Sequence, residues 1–179
     1  LQPLLQEGIF TSTNIEIINL IALTIPVQSR PQLPNSTMLK MLYDSLDNVQ
    51  VTSFSDSPNL SLETLFAISN LSLQDNLYPD TLNALEEIKK RIKDSNNIKL
   101  QAWLIYYYGL YYNQINQPQL ANSAFMQANK LAEKNDLVEL NGLVKKSLVE
   151  IYAKQYRIST ALNFAKQRIE FYLKTKNND

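Results

Sequence analysis

Residues 98–134 read IKLQAWLIYYYGLYYNQINQPQLANSAFMQANKLAEK and carry the clearest helical pattern of the chain. Apolar residues recur every three or four positions on both sides of Asn116-Gln117-Pro118, a short polar break that ends in a proline suited to a helix start. Helices joined by so short a link run antiparallel and contact each other. The stretch therefore predicts two packed helices, with the small residues Gly109 and Ala121 where they cross.

The same arrangement recurs with a period of 40 residues. Superposing Ser69, Gly109 and Val149 gives two equal steps (109 − 69 = 40 and 149 − 109 = 40). The same alignment matches Ile68 with Tyr108 and Leu148, Leu71 with Tyr111 and Ile151, Thr81 with Ala121 and Ala161, and Leu85 with Phe125 and Ala165. One helix pair cannot bury its apolar faces alone, whereas stacked pairs bury them against each other. The period predicts three stacked helical hairpins.

The middle hairpin resembles a tetratricopeptide repeat. Tyr108-Gly109-x-x-Tyr112, followed by Ala121-x-x-x-Phe125 and Ala128, is similar to that family's signature. The last hairpin matches less well, and the first less again. The period also exceeds the family's usual ~34 residues, and Glu133 lies near the place of the proline that usually closes a repeat. The resemblance covers about two-thirds of the chain and implies an all-α fold, a right-handed α-solenoid of antiparallel helical hairpins.

The helical pattern begins at residue 61 and runs to the C-terminus. It predicts helices over residues 61–75, 80–93, 98–115, 118–134, 137–155 and 158–174. Paired in order, these helices give hairpins over residues 61–97, 98–136 and 137–179.

Residues 1–60 differ from the rest of the chain. Capping-box spacing at Thr13-Asn14-Ile15-Glu16 and an apolar segment over residues 38–46 predict two helices, separated by Pro26, Pro31 and Pro34. We predict a helical pair that caps the repeats. A separate domain is the alternative, but so short a segment rarely forms a core of its own. Because the chain begins with leucine, we expect a processed protein or part of a longer one.

Composition narrows the classes of function. Lys plus Arg and Asp plus Glu number 17 each, so the chain lacks the basic excess of a protein that binds nucleic acid through phosphates. The chain contains no cysteine and no histidine, which argues against the usual zinc, iron–sulfur and haem sites and against Ser-His-Asp catalysis. We expect no cofactor and no catalytic site. No apolar run is long enough to cross a bilayer.

The family resemblance also implies a binding surface. In that family the first helix of each hairpin lines a concave surface that holds peptide segments. The resemblance places there Phe66, Asn70 and Gln74 in the first hairpin, Trp103, Tyr106, Leu110, Asn113 and Gln114 in the second, and Lys146 and Glu150 in the third, with Glu63, Leu143 and Lys154 beside them. Amide side chains can bond a ligand backbone and aromatic rings can anchor it. The alternative is an amide-rich surface that only meets water.

The five tyrosines of residues 106–112 have two interpretations. Tyr108, Tyr111 and Tyr112 match the packing register and are expected in the core. Trp103 and Tyr106 fall on another face of the same helix, where we expect one solvent-open groove that also contains Asn70 and Asn113.

Two classes of function follow from these features. The first is a protein- or peptide-binding repeat module within a larger protein or assembly, with a homodimer left open. The second is a ligand- or peptide-sensing input domain of a bacterial signalling or transcription regulator. An enzyme is a distant third.

Overall fold

The computed structural model describes residues 62–176, and within that range every regular element is an α-helix. The helices are α1 (Leu62–Gln74), α2 (Tyr78–Ile92), α3 (Ile98–Gln114), α4 (Pro118–Lys134), α5 (Val138–Lys154) and α6 (Ile158–Lys176). The six helices predicted from the sequence are thus confirmed, with ends that agree to within two residues. The predicted N-terminal helical pair lies outside the described residues.

The chain divides into two compact units at Lys90. The described part of the first unit comprises α1 and α2 up to Lys90. The second unit contains α3 to α6, in which α3 packs on α4, α4 on α5, and α5 on α6.

The helices repeat at half the period that the sequence suggested. Tyr78, Ile98, Pro118, Val138 and Ile158 are the first residues of α2 to α6 and are 20 residues apart (98 − 78 = 20, with the same difference at each later step). The residues six positions further along each helix are all buried, namely Ala84, Leu104, Ala124, Val144 and Phe164. The structural unit is therefore one helix and one turn, and two such units make the 40-residue period.

Four of the turns have the same backbone conformation. The second-last residue before the next helix has a positive φ in each of them: Asn76 (60°), Asn116 (59°), Asp136 (52°) and Tyr156 (57°). In each turn the next residue donates its backbone N–H to the carbonyl five positions earlier, as in Leu77 to Ser72 at 2.8 Å and Arg157 to Tyr152 at 2.9 Å. This hydrogen bond closes the helix end with a left-handed residue and fixes where the next helix starts.

Tyr156 is the one member of this set for which the left-handed conformation is unfavourable. Asparagine and aspartate tolerate a positive φ, whereas a bulky side chain there is strained by about 1–2 kcal/mol. The Tyr156 side chain is 89% exposed, so little burial offsets the strain.

Tyr156→Gly is therefore expected to raise the free energy of unfolding by about 1 kcal/mol, since part of the relieved strain is offset by the greater freedom of glycine in the unfolded chain. Urea unfolding followed by circular dichroism measures the change. Asn116→Gly is the matched control and should change the stability much less. Equal effects at the two positions would show that the tyrosine side chain causes no strain.

Small residues bring α3 and α4 together as the sequence predicted. Phe125 and Ala121 on α4 are fully buried. A Cβ atom placed on Gly109 of α3 would lie 2.6 Å from two ring carbons of Phe125, closer than any real contact. The expected burial of Ala121, and the expected position of Phe125 beside Gly109, are both confirmed.

In the first unit, two buried hydroxyl groups lie where α1 and α2 approach each other. Ser72 Oγ on α1 and Thr81 Oγ1 on α2 are 2.9 Å apart. Each hydroxyl group can also donate to the backbone carbonyl four residues earlier, Ser72 to Ile68 at 2.7 Å and Thr81 to Leu77 at 3.1 Å. Short side chains permit the close approach, and the hydrogen bonds compensate for the loss of water around the hydroxyl groups.

Candidate functional site

Trp103 is one of the aromatic side chains of α3 that remain partly exposed. It is half-buried, and its ring meets Tyr106 edge to face, with centroids 6.0 Å apart and planes at 81°. Tyr107 lies on it as well, at 6.2 Å. These contacts hold the indole ring in place while leaving part of it exposed. A rigid, partly exposed tryptophan is a typical anchor for a bound polypeptide.

Tyr106 itself is buried, so the expectation that it faces a solvent-open groove is wrong. Its ring packs on Phe125 of α4 at 5.7 Å, and its hydroxyl forms a hydrogen bond with Ser147 of α5. The physical reason is that α3 contacts both α4 and α5, which buries a wider arc of its surface than one partner helix could. The Tyr106 ring therefore contacts the Trp103 ring, and its hydroxyl group connects α3 to α5.

The buried surroundings change the acidity of this phenol. Burial raises the pKa of Tyr106 above its usual value near 10, the hydrogen bond from Ser147 lowers it in part, and the negative charge of Glu150 raises it. The folded protein thus favours the neutral phenol. The stability that Tyr106 contributes through this difference in pKa is fully present below the pKa of the unfolded state. It is lost as the pH rises from that value through the pKa of the folded state.

Tyr106→Phe should therefore lower the free energy of unfolding by about 1 kcal/mol at neutral pH, because a buried hydrogen bond is lost. Above pH ~10 the wild-type protein should lose stability faster than the variant, so the difference should shrink. Urea unfolding at a series of alkaline pH values measures both curves. Parallel curves would contradict the assignment of a raised pKa to Tyr106.

The remaining predicted residues of the second unit lie at or near the surface. Leu110 and Asn113 on α3 are half-buried and Gln114 is exposed. Lys146 and Glu150 on α5 are exposed and form an ion pair at 3.9 Å. Ser147 and Glu150 lie close enough to Tyr106 to affect its pKa, so this part of α5 lies beside the middle of α3. We call the set Trp103, Leu110, Asn113, Gln114, Lys146 and Glu150 the α3–α5 face.

The predicted residues of the first unit have a different environment. Phe66 on α1 is buried, which contradicts its expected role as an exposed anchor. Its neighbours Leu65, Ala67 and Ile68 are buried too, so α1 is covered around most of its circumference. Asn70 and Gln74 are half-buried, and the Gln74 amide donates to Asn70 Oδ1 at 3.1 Å.

The tyrosines expected in the core are the less buried ones. Tyr108, Tyr111 and Tyr112 are half-buried, whereas Tyr106 and Tyr107 are buried. Tyr108 and Tyr112 stack with centroids 6.1 Å apart. The assignment of faces was wrong because nearly every residue from 102 to 112 is apolar or aromatic, so the pattern does not distinguish one side of α3.

A groove between α5 and α6 was not predicted. It has a volume of about 570 Å³ and is lined by Lys146, Val149, Glu150, Ala165, Arg168, Ile169 and Tyr172. Two of these residues, Lys146 and Glu150, also belong to the α3–α5 face. The signal for the groove was available in the sequence, since Ile169, Tyr172 and Leu173 form an apolar stripe at helical spacing on the last helix.

A buried lysine joins three helices of the second unit. Lys145 Nζ on α5 lies 3.0 Å from Glu133 Oε1 at the end of α4 and donates to Asn141 Oδ1 at 2.8 Å. It also lies 5.5 Å from the ring centroid of Phe171 on α6. These contacts compensate for burying the charge and connect α5 to both of its neighbours.

Neither a metal-binding cluster of acidic side chains nor a helix long and apolar enough to span a bilayer occurs within residues 62–176. Comparison of the chain with models of protein families, with curated proteins and with solved structures gives no match in any of the three.

Proposed function

We propose that this chain is a non-catalytic helical-repeat module that binds a protein or peptide segment, with its helices arranged as a right-handed, tetratricopeptide-like solenoid. The repeating helix–turn unit, the close approach of Gly109 to Phe125 of α4 and the burial of Ala121 support the repeat architecture. Repeat architectures of this kind bury their apolar surface between neighbouring helices and leave one face for partners.

The observation that carries the proposal is the half-exposed Trp103, held by Tyr106 and Tyr107 at one side of the α3–α5 face. An aromatic side chain that is already fixed loses little conformational freedom when a partner covers it, so its burial contributes fully to affinity. Asn113 and Gln114 can donate to and accept from the backbone of an extended segment. Such groups hold a polypeptide without changing its covalent bonds.

Peptides that bind the immobilised full chain can be selected from a random library, and a selected peptide then serves as the ligand for a test. For a selected peptide, Trp103→Ala should weaken binding by about 2 kcal/mol, or about 30-fold in Kd, because the anchor is lost. Asn113→Ala should weaken it less, since water can replace a hydrogen bond at a half-buried site. Isothermal titration calorimetry measures both changes.

Gln127→Ala is the control for this experiment, because Gln127 is exposed on α4 and outside the α3–α5 face. Circular dichroism should show that all three variants remain helical. If the library yields no binder, or if selected peptides bind the Trp103→Ala variant as tightly as the wild type, the α3–α5 face is not the binding surface.

A further inference from the structure

The residues of the groove between α5 and α6 have counterparts 40 positions earlier, on α3 and α4. There the corresponding surface is covered. Subtracting 40 from the groove's lining residues gives Tyr106, Gly109, Leu110, Phe125, Ala128, Asn129 and Ala132 on α3 and α4. All of these except Leu110 are buried. None of the seven groove residues is buried, and Ile169 is 60% exposed.

In the preceding pair, α5 is the helix that lies on this surface. It packs on α4, and Ser147 at its centre bonds the Tyr106 hydroxyl of α3. Repetition of the same packing one step further would place a helix on α5 and α6. Val149, Ile169 and Tyr172 provide the apolar contacts that such a helix needs.

The groove contains two cations, Lys146 and Arg168, and one carboxylate, Glu150, which pairs with Lys146 at 3.9 Å. Its net charge is therefore positive and favours a helix that carries acidic residues. Lys146 occupies the position that Tyr106 occupies one period earlier. Because Tyr106 bonds Ser147, Lys146 would face the residue of the incoming helix that corresponds to Ser147. Arg168 replaces Ala128. Its Nε is buried and finds no hydrogen-bond acceptor within residues 62–173, while its guanidinium lies 5.5 Å from the Tyr172 ring centroid. A carboxylate on the incoming helix would pair with either cation.

We therefore propose that the α5–α6 groove binds an amphipathic, acidic α-helix of another polypeptide, a proposal that rests on the binding function above. A second copy of this chain fits less well. Its α6, the helix with the exposed apolar stripe, carries Lys166, Arg168, Lys174 and Lys176 against a single Glu170. That helix would bring like charges to Lys146 and Arg168, which opposes association.

Two synthetic probes test the charge requirement. Both have the sequence of α5, residues 138–154, with blocked ends; one carries Ser147→Glu and the other Ser147→Lys. Calorimetric titration into the full chain should show the glutamate probe binding about tenfold more tightly than the lysine probe. The Lys146→Glu variant of the chain should reverse that preference. Isolated peptides of this length are only partly helical, which weakens both probes alike.

Ile169→Asp should abolish binding of the glutamate probe, whereas Leu120→Asp, at an exposed position of α4, should leave it unchanged. Equal binding of both probes, or no binding of either, overturns the proposal. So does a dimer of the chain alone, seen by sedimentation velocity, that Ile169→Asp dissociates, since the occupant would then be a second copy. The Ile169→Asp variant should still bind library peptides through Trp103, so failure of the helix proposal is distinguishable from failure of the binding function.

Discussion

Replacing Phe125 with alanine is expected to lower the free energy of unfolding by about 3–5 kcal/mol. Phe125 is fully buried, contacts the Tyr106 ring and fills the space opposite Gly109. Its removal leaves a cavity between α3 and α4 that neither helix can close, because the turn at Asn116 fixes how they meet. Urea unfolding followed by circular dichroism measures the loss.

Met126→Ala is the matched control for Phe125→Ala. Met126 is the next residue of α4 and is 41% exposed, so its truncation should cost well under half as much. If both substitutions cost the same, Phe125 does not fill the contact between α3 and α4.

Gly109→Ala is expected to cost about 2–3 kcal/mol despite the higher helix propensity of alanine. The added methyl group would meet two ring carbons of a fully buried phenylalanine, so the ring or the helix must shift. Shortening the opposing side chain should relieve the contact. The cost of Gly109→Ala should therefore be smaller in a Phe125→Leu background, as a double-mutant cycle measures.

Gly142→Ala distinguishes this steric effect from a general effect of replacing glycine in a helix. A Cβ atom on Gly142 would meet the hydroxyl end of Tyr172, an exposed side chain that can rotate away. Gly142→Ala should therefore be close to neutral or stabilising, since alanine favours the helix. A loss of stability as large as that of Gly109→Ala would show that close packing at Gly109 is not the cause.

The helices were predictable because their ends are marked locally. Pro118 lies at the first position of α4, and the polar residues Asn116 and Asp136 fall in turns where a positive φ is required. The close approach at Gly109 and the burial of Ala121 were predictable as well, since both are small residues in an otherwise bulky sequence. Local signals of this kind depend only on neighbouring residues.

The orientation of α3 could not be predicted in the same way. Which tyrosines are buried depends on the number of helices that contact α3, and the sequence of α3 does not contain that information. The hydrogen bond between Tyr106 and Ser147 connects residues 41 positions apart (147 − 106 = 41). Trp103 is consequently partly exposed at the surface, as expected, whereas Tyr106 and Phe66 are buried in the core.

Trp103 is the sole tryptophan of the chain, and this gives α3 its own optical signal. The Tyr106 and Tyr107 rings lie about 6 Å from it, well within the range over which excited tyrosine transfers energy to tryptophan. Light absorbed by these phenols should therefore emerge as indole emission, and that emission should move to longer wavelength when α3 unfolds and water surrounds the half-buried indole ring. Circular dichroism averages over all the helices, whereas the emission follows one. Denaturation curves recorded by the two methods should coincide if α3 unfolds together with the other helices. They should separate if α3 unfolds on its own.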